Sequence, residues 1–350
     1  MRLLENIPLA PLTTLGIGGP ARWFVEAASE GEIAEACAWA QERGVPLFVM
    51  GGSSNLVIAD AGFNGLVLRI TSRGIERDGA VFRVAAGESW DNCVQQTLGE
   101  DCAGLECLAG IPGTAGGTPV QNVGAYGQEV ATVIARVRVF DLETREFVEL
   151  GNAECVFAYR RSRFNTTDRG RFVVTRVDYR LTPGGKPVLR YADVERELAA
   201  SRITGTVPSL AEVAEAVRRI RRRKGMLLVE GDPNTRSVGS FFKNPVVSAE
   251  AFRKIGAQSA SAPPSFPAGG DAEKAGWVKI PAAWLIEQAG FAKGYALGHA
   301  GISSQHTLAL VNRGGATADE ILALARQIAA AVEQRFGIRL EMEPVLVGFK

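Results

Sequence analysis

Apolar and polar positions along this chain change period between 3.6 and 2, and the changes mark its elements. Ser29 and Glu32 form a capping box ahead of the helical run IAEACAWAQERG, which Gly44 should end, and VPLFVM then reads as a buried strand. That is an α/β opening. From residue 65 the pattern turns to short strands, GLVLRI and VFRVAAG, then a helix from Ser89, strands from 134, and RFVVTRVDYRL at 171–181, which together predict an α+β region. A second capping box, Ser209 with Glu212, opens a helix in which Leu210, Val213, Val217 and Ile220 recur at helical spacing. Beyond it lie SVGSFFKNP at 237–245, a loop at SASAPPSFPAGGDAEKAG, and a helix PAAWLIEQAG with Pro281 near its first turn and Gly290 past its end. HTLALVN reads as a strand, and a third capping box, Thr317 with Glu320, starts a helix that runs to Gly337. IRLEMEPVLVGF should close the chain as one strand, with Arg339, Glu341 and Glu343 on one face and Ile338, Leu340 and Met342 on the other.

Composition narrows the class. At 350 residues, 46% hydrophobic and 22% charged, the chain is long enough for two or three domains with real cores. Lys and Arg number 39 against 38 Asp and Glu, so no global field recruits nucleic acid or an acidic membrane, and any anion specificity must be local. The cluster RRIRRRK at 218–224 reads as a solvated last helical turn rather than a nucleic-acid patch, which would need more basic surface with aromatic interleaving. No stretch approaches the roughly 18 apolar residues of a membrane span, and the opening residues lack a signal-peptide core, so a cytoplasmic protein is expected. Cys37, Cys93, Cys102, Cys107 and Cys155 are odd in number and never spaced C-x-x-C, which points to reduced structural thiols and to no metal site.

Three stretches carry candidate chemistry. GGSSN at 51–55 follows a strand, and its small residues let backbone N–H groups face a ligand oxygen, although a tight turn has the same composition. GIPGTAGGTPVQNVGAYG at 110–127 has six glycines and two prolines in 18 residues but little polar filler, so it reads as a shaped loop rather than a linker. Neither is a G-x-G-x-x-G at a strand-to-helix junction, which argues against a Rossmann fold while leaving two anion-binding backbones. SVGSFFKNP reads by itself as a buried edge strand ending at Pro245. Acyl-transfer chemistry at Ser240 would call for a histidine, and the two present, His299 and His306, lie in a segment with no nucleophile elbow.

Eight segments, in order, carry a resemblance: TTLGIGGPA, GGSSNLVIAD, AAGESW, GLECLAGIPGTAGGTPVQNVGAYGQEV, FAYRRSRF, VGSFFKNPVVS, KIPAAWLIEQAGFAKG and LEMEPVLVG. Over nearly its whole length the chain resembles the UDP-N-acetylenolpyruvoylglucosamine reductase family, in the subgroup with a tyrosine on a mobile loop. The resemblance implies an α+β protein with an FAD-binding fold of the vanillyl-alcohol-oxidase type. Residues 1–70, joined by a C-terminal strand at 338–350, would form one FAD-binding subdomain, residues 71–222 a second, and residues 223–337 a substrate-binding domain. It implies FAD as cofactor, NADPH as reductant, a UDP-sugar as substrate, and a monomer with no nucleic-acid or membrane partner. The implied cofactor contacts are Gly51, Gly52, Ser53, Ser54, Asn55 and Leu56 in the first loop, and in the second Ile111, Pro112, Gly113, Gly116, Gly117, Gln121, Asn122, Gly124, Ala125, Tyr126 and Gly127. Tyr159, Tyr191, Lys224 and Asn244 would meet the substrate, together with Gln305 and His306, between which the diphosphate contact stays open. Rival readings are a sugar or alcohol oxidase on the same scaffold and a non-catalytic flavin binder.

The implied reaction adds hydride to the terminal carbon of an enol ether conjugated to a carboxylate, so negative charge builds on the adjacent carbon and its carboxyl group. Fixed positive charge there lowers the barrier most. Arg160, in FAYRRSRF, matches the family's carboxylate-binding arginine, while Arg161 and Arg163 are expected to be structural or solvent-facing. Glu343 matches an acidic residue beside the same carboxyl, where burial would raise its pKa so that it donates. Ser240 matches the general acid that protonates the carbanion. Lys224 then has a specific role at the end of the basic helix, and Arg221 to Arg223 need none.

Overall fold

Ser29 does what its hydroxyl suggests: it accepts from Glu32 N, Glu32 returns a bond to Ala28 N, and the helix Glu30–Glu42 follows with Ile33, Ala36, Cys37 and Ala40 inward. This helix lies between Pro20–Ala27 and Leu47–Met50, which each pair in parallel with Phe63–Ile70. The computed structural model describes residues 1–201, 207–259, 261–268 and 275–349. Its chain divides into two units: Met1–Ile7, Pro20–Ser53 and Phe63–Arg223 form the first, and Pro8–Gly19, Ser54–Gly62 and Lys224–Lys350 the second.

In the first unit the parallel strands are followed by a five-stranded antiparallel sheet in the order Glu146–Gly151, Ile134–Asp141, Phe172–Arg180, Val81–Ala85, Ile75–Asp78. Val25, Leu66 and Leu68 of the parallel sheet share one apolar core with Phe82, Val137 and Val177 of the antiparallel one. Residues on either side of position 70 therefore pack as a single body, because neither sheet has enough apolar surface of its own to leave that face dry. The helix Leu210–Arg223, which starts at the capping box of Ser209 and Glu212, packs with Ala192–Ser201 around Cys107 in a smaller cluster.

The second unit centres on the sheet Ser237–Ser240, Ala309–Asn312, Ala300–Ile302, Ala296–Leu297, and on the helices Ala282–Gln288 and Ala318–Phe336. Thr317 and Glu320 form the expected capping box, and Gly337, at φ +68°, ends the longer helix. One expectation needs correction. The C-terminal stretch is not one strand: it makes a bridge at Met342 and a three-residue strand Val345–Val347, because Pro344 has no N–H for the ladder. That strand pairs in parallel with Leu56–Ile58, inside the second unit. The loop expected at 259–276 lies partly outside the described residues.

All five cysteines are free and buried, and burial pushes the thiols of Cys37, Cys93, Cys107 and Cys155 up to about 12. Among the described residues no helix is long and apolar enough to cross a membrane.

Candidate functional site

The first unit carries Gly51, Gly52 and Ser53 of the first glycine-rich loop and all of the second, and these run backbone to backbone. A Cβ on Gly52 would lie 2.5 Å from the Gly113 Cα, and one on Gly51 would lie 2.7 Å from Thr114 Oγ1, so only glycine permits this approach. Ser53 sits in the left-handed region at φ +54°. Such a junction offers backbone amides rather than side chains, which fits the diphosphate of a dinucleotide cofactor.

The second loop is held from below. Trp90, 1% exposed, donates from its indole to Leu108 O at 3.1 Å and packs on Tyr179. The Tyr179 hydroxyl lies 2.6 Å from Thr118 Oγ1 and 3.3 Å from Ala115 O. Backbone bonds from Gly116 N to Ala86 O and from Ala115 N to Glu88 O complete the attachment. The loop then makes one helical turn, Thr118–Gln121, passes through Asn122 at φ +43°, and reverses at Tyr126 and Gly127 between Gly124–Ala125 and Gln128–Glu129. Asn122 is 1% exposed, with its side chain donating to Glu129 and Ala158 O and accepting from Ala131 N. Its side chain is thereby spent on shaping the loop.

Arg160 lies against this loop. Its own backbone is left-handed, at φ +56°, and its Nη2 donates to Gly124 O at 2.8 Å. The turn that presents it is fixed by buried Ser162, which donates to Val120 O and caps Phe164 N. Arg163 pairs with Asp168, and Arg161 is exposed. Half-buried Tyr159 precedes Arg160, whose guanidinium lies 5.4 Å from the Tyr159 ring centre.

Arg221 was the misread residue. It is 8% exposed, not a solvated last turn, and donates from Nε to Gly110 O at the head of the second loop. It also bonds to Tyr126 at the tail of that loop, whose phenol burial pushes up to about 12. Tyr126 in turn meets Tyr191 edge-on, with ring centres 5.5 Å apart. The signal was in the sequence, since position 221 lies four residues after Val217 and seven after Ala214 on the apolar stripe. Neighbouring Arg218 pairs with Asp91, whose other oxygen holds Gly110 N, and Arg219 and Arg223 share Glu197.

The second unit brings Ser240 and Glu343 together. Ser237–Ser240 is an edge strand on Ala309–Asn312, and its register breaks where Gly239 takes φ +74°. After that irregularity the half-buried Ser240 pairs again, opposite Ala309, while Phe241 and Phe242, 0% and 1% exposed, anchor the chain immediately after it. Glu343 N donates to Phe241 O at 2.9 Å and Lys243 N to Glu341 O, so a hydroxyl and a carboxylate 103 residues apart in sequence lie on facing segments. Glu341 pairs with Lys243 at the surface, and Asn55 Nδ2 donates to Glu343 O. Asn244 Oδ1 caps Ala282 N, leaving its amide nitrogen for other partners.

Lys224, Gln305 and His306 also lie in this unit. His306 Nδ1 accepts from Leu308 N, so the proton of the neutral ring sits on Nε2. Burial, with Lys224 and Lys293 nearby, lowers its pKa to about 4. Gln305 approaches Gly225, next to Lys224, and its Oε1 is buried without a hydrogen-bond partner among the described residues.

Comparison with known proteins agrees with both units. Residues 21–151 match a family model described as FAD binding domain, and residues 232–347 match UDP-N-acetylenolpyruvoylglucosamine reductase, C-terminal domain. A UDP-N-acetylenolpyruvoylglucosamine reductase of Streptomyces coelicolor is 47% identical, over 99% of this chain and 90% of the relative. One of Thermobifida fusca is 46% identical, over 98% of each. The crystal structure of UDP-N-acetylenolpyruvylglucosamine reductase from Thermus caldophilus superposes with TM-score 0.69 at 26% identity, covering 99% of both chains. The chain has the FAD-binding fold expected from its sequence, and it belongs to the UDP-N-acetylenolpyruvoylglucosamine reductase family.

Proposed function

We propose that this protein reduces the enolpyruvyl ether of UDP-N-acetylglucosamine to UDP-N-acetylmuramate for peptidoglycan synthesis, with FAD as cofactor and NADPH as the electron source. The observation that carries the reading, beyond family membership, is the pairing of Glu343 N with Phe241 O beside the Ser240 bulge. When bound, FAD would supply the hydride chemistry that links NADPH to the terminal carbon of the substrate. Gly51, Gly52, Ser53 and the 110–127 backbone would hold its diphosphate.

Arg160 binds the substrate carboxylate and holds the negative charge that develops there, for which a guanidinium, always ionised and bidentate, is suited. Ser240 gives its hydroxyl proton to the carbon left with the electron pair. A hydroxyl is a weak acid but the carbanion is a strong base, so the transfer runs downhill. Glu343 stabilises the same carboxyl by hydrogen bonding. Tyr191, Lys224, Asn244 and the Gln305–His306 pair hold the UDP-sugar, and the neutral His306, with Nε2 carrying its proton, offers one donor beside the ammonium of Lys224.

The test is anaerobic and stepwise. The flavin is bleached with NADPH, then UDP-N-acetylenolpyruvoylglucosamine is added to wild type and to Ser240→Ala. The reading expects rapid reoxidation with product in wild type, and normal bleaching without product in the variant. Wild-type flavin that stays bleached until air enters would sink the substrate assignment and point to an oxidase.

A further inference from the structure

Glu106 is a carboxylate with 0% exposure, and the reaction above does not use it. Among the described residues its hydrogen-bond donors are neutral: Gly104 N at 2.8 Å, Gln128 Nε2 at 2.7 Å and Val188 N at 3.2 Å. Gln128 is itself buried, and its Oε1 accepts from Cys107 N at 2.8 Å, which fixes the amide so that its NH2 group must face Glu106. A buried carboxylate held only by neutral donors is costly unless every bond is made, so such a group persists where directional attachment is needed.

What it attaches is the segment leading to Tyr191. Val188 lies three residues before Tyr191 with its side chain 38% exposed, yet its peptide groups are held inward: N–H by Glu106, and C=O by Cys107 Sγ at 3.7 Å. The chain then reaches Tyr191, whose ring packs on Tyr126 and whose carbonyl receives Val194 N and Glu195 N at the start of the next helix. We propose that Glu106 is the buried anchor of the segment that carries Tyr191, a positioning residue through which that tyrosine is presented to the UDP-sugar. This rests on the substrate role given to Tyr191 above, whereas the anchoring itself does not.

The experiment compares Glu106→Gln, Val188→Pro, Tyr191→Phe and the double variant Glu106→Gln/Gln128→Glu in the FAD-loaded protein. In Glu106→Gln an amide replaces one acceptor oxygen and sets donor against donor. Val188→Pro deletes the N–H at the segment alone. The double variant restores one carboxylate facing one amide. Both single anchor variants should raise KM for UDP-N-acetylenolpyruvoylglucosamine about tenfold while the rate of flavin bleaching by NADPH stays unchanged. Amide exchange at 186–192 should quicken in the same two variants and stay quick in the double variant, because Gln128 and Val188 share Oε1 of Glu106 and an NH2 group placed there serves the carboxylate introduced at 128 but not Val188 N. Unchanged exchange at 186–192 in both single variants would overturn the anchor. Quickened exchange with unchanged KM would overturn the positioning role. If Tyr191→Phe keeps the wild-type KM, the substrate role of Tyr191 fails, and the exchange rates alone then decide whether Glu106 anchors the segment.

Discussion

The 110–127 loop and the 237–244 segment, to which the proposed function gives the cofactor and the reacting serine, are held in opposite ways. The loop is fixed by Tyr179 and Arg221 beneath it and by Thr118 within it, whose polar groups bond to the backbone of Ala115 and Gly110 and leave glycine at the points of close approach. The serine segment is fixed by apolar side chains, Phe241 and Phe242, and by pairing with residues 341–343. Where the backbone is to bind, the fold supports it with buried hydrogen bonds. Where a side chain is to react, the fold anchors its neighbours in the core and bends the strand at Gly239.

Substitutions should separate the two designs. The largest effect is expected at the reacting side chain: Ser240→Ala should lower kcat about a thousandfold with flavin content intact, measured by product formation. Next is the support of the loop. Arg221→Met leaves Gly110 O without its donor in a buried setting and should cost about 3 kcal/mol in urea unfolding, whereas Arg222→Met, at an exposed position, should cost under about 0.5 kcal/mol. Smaller again is Gly52→Ala, whose methyl meets Gly113; about 2 kcal/mol and a fall in bound flavin per chain are expected, while Gly31→Ala, outside both loops and with nothing within 4 Å, should keep both. The smallest concerns pH. His306 titrates near 6.5 unfolded but at about 4 folded, so the unfolded state binds the extra proton and stability falls as pH drops from 6.5 toward 4. His306→Gln should flatten the melting temperature across that window, and an unchanged slope would place the acid sensitivity elsewhere.

Much of this was legible in the chain because it is local. Ser29, Ser209 and Thr317 each announced a helix through a hydroxyl and a Glu three residues on, and each cap forms. The glycine-rich loops were legible as shaped for the same reason. What was not legible is what depends on distant partners. Nothing in a separation of 103 residues says that Glu343 pairs beside Ser240, since that bond is set by the packing of Phe241, Phe242 and Met342. Nor did the charge of Arg221 suggest burial, although its helical position did; residue type outweighed periodicity in the reading, and the fold followed periodicity. Nor does residue type say that Asn122 bonds to Ala158 O and Ala131 N, or that Asn244 Oδ1 caps Ala282 N.

The five buried thiols have a practical consequence. With four of them held near pKa 12 by burial, almost none of their thiolate is present at neutral pH, and maleimides or disulfide reagents find no native target in the folded protein. A single cysteine placed at Val156, whose side chain is 66% exposed, therefore takes a fluorophore or spin label by itself, with no native cysteine to remove first. The chain comes ready for site-specific optical work on its own loops.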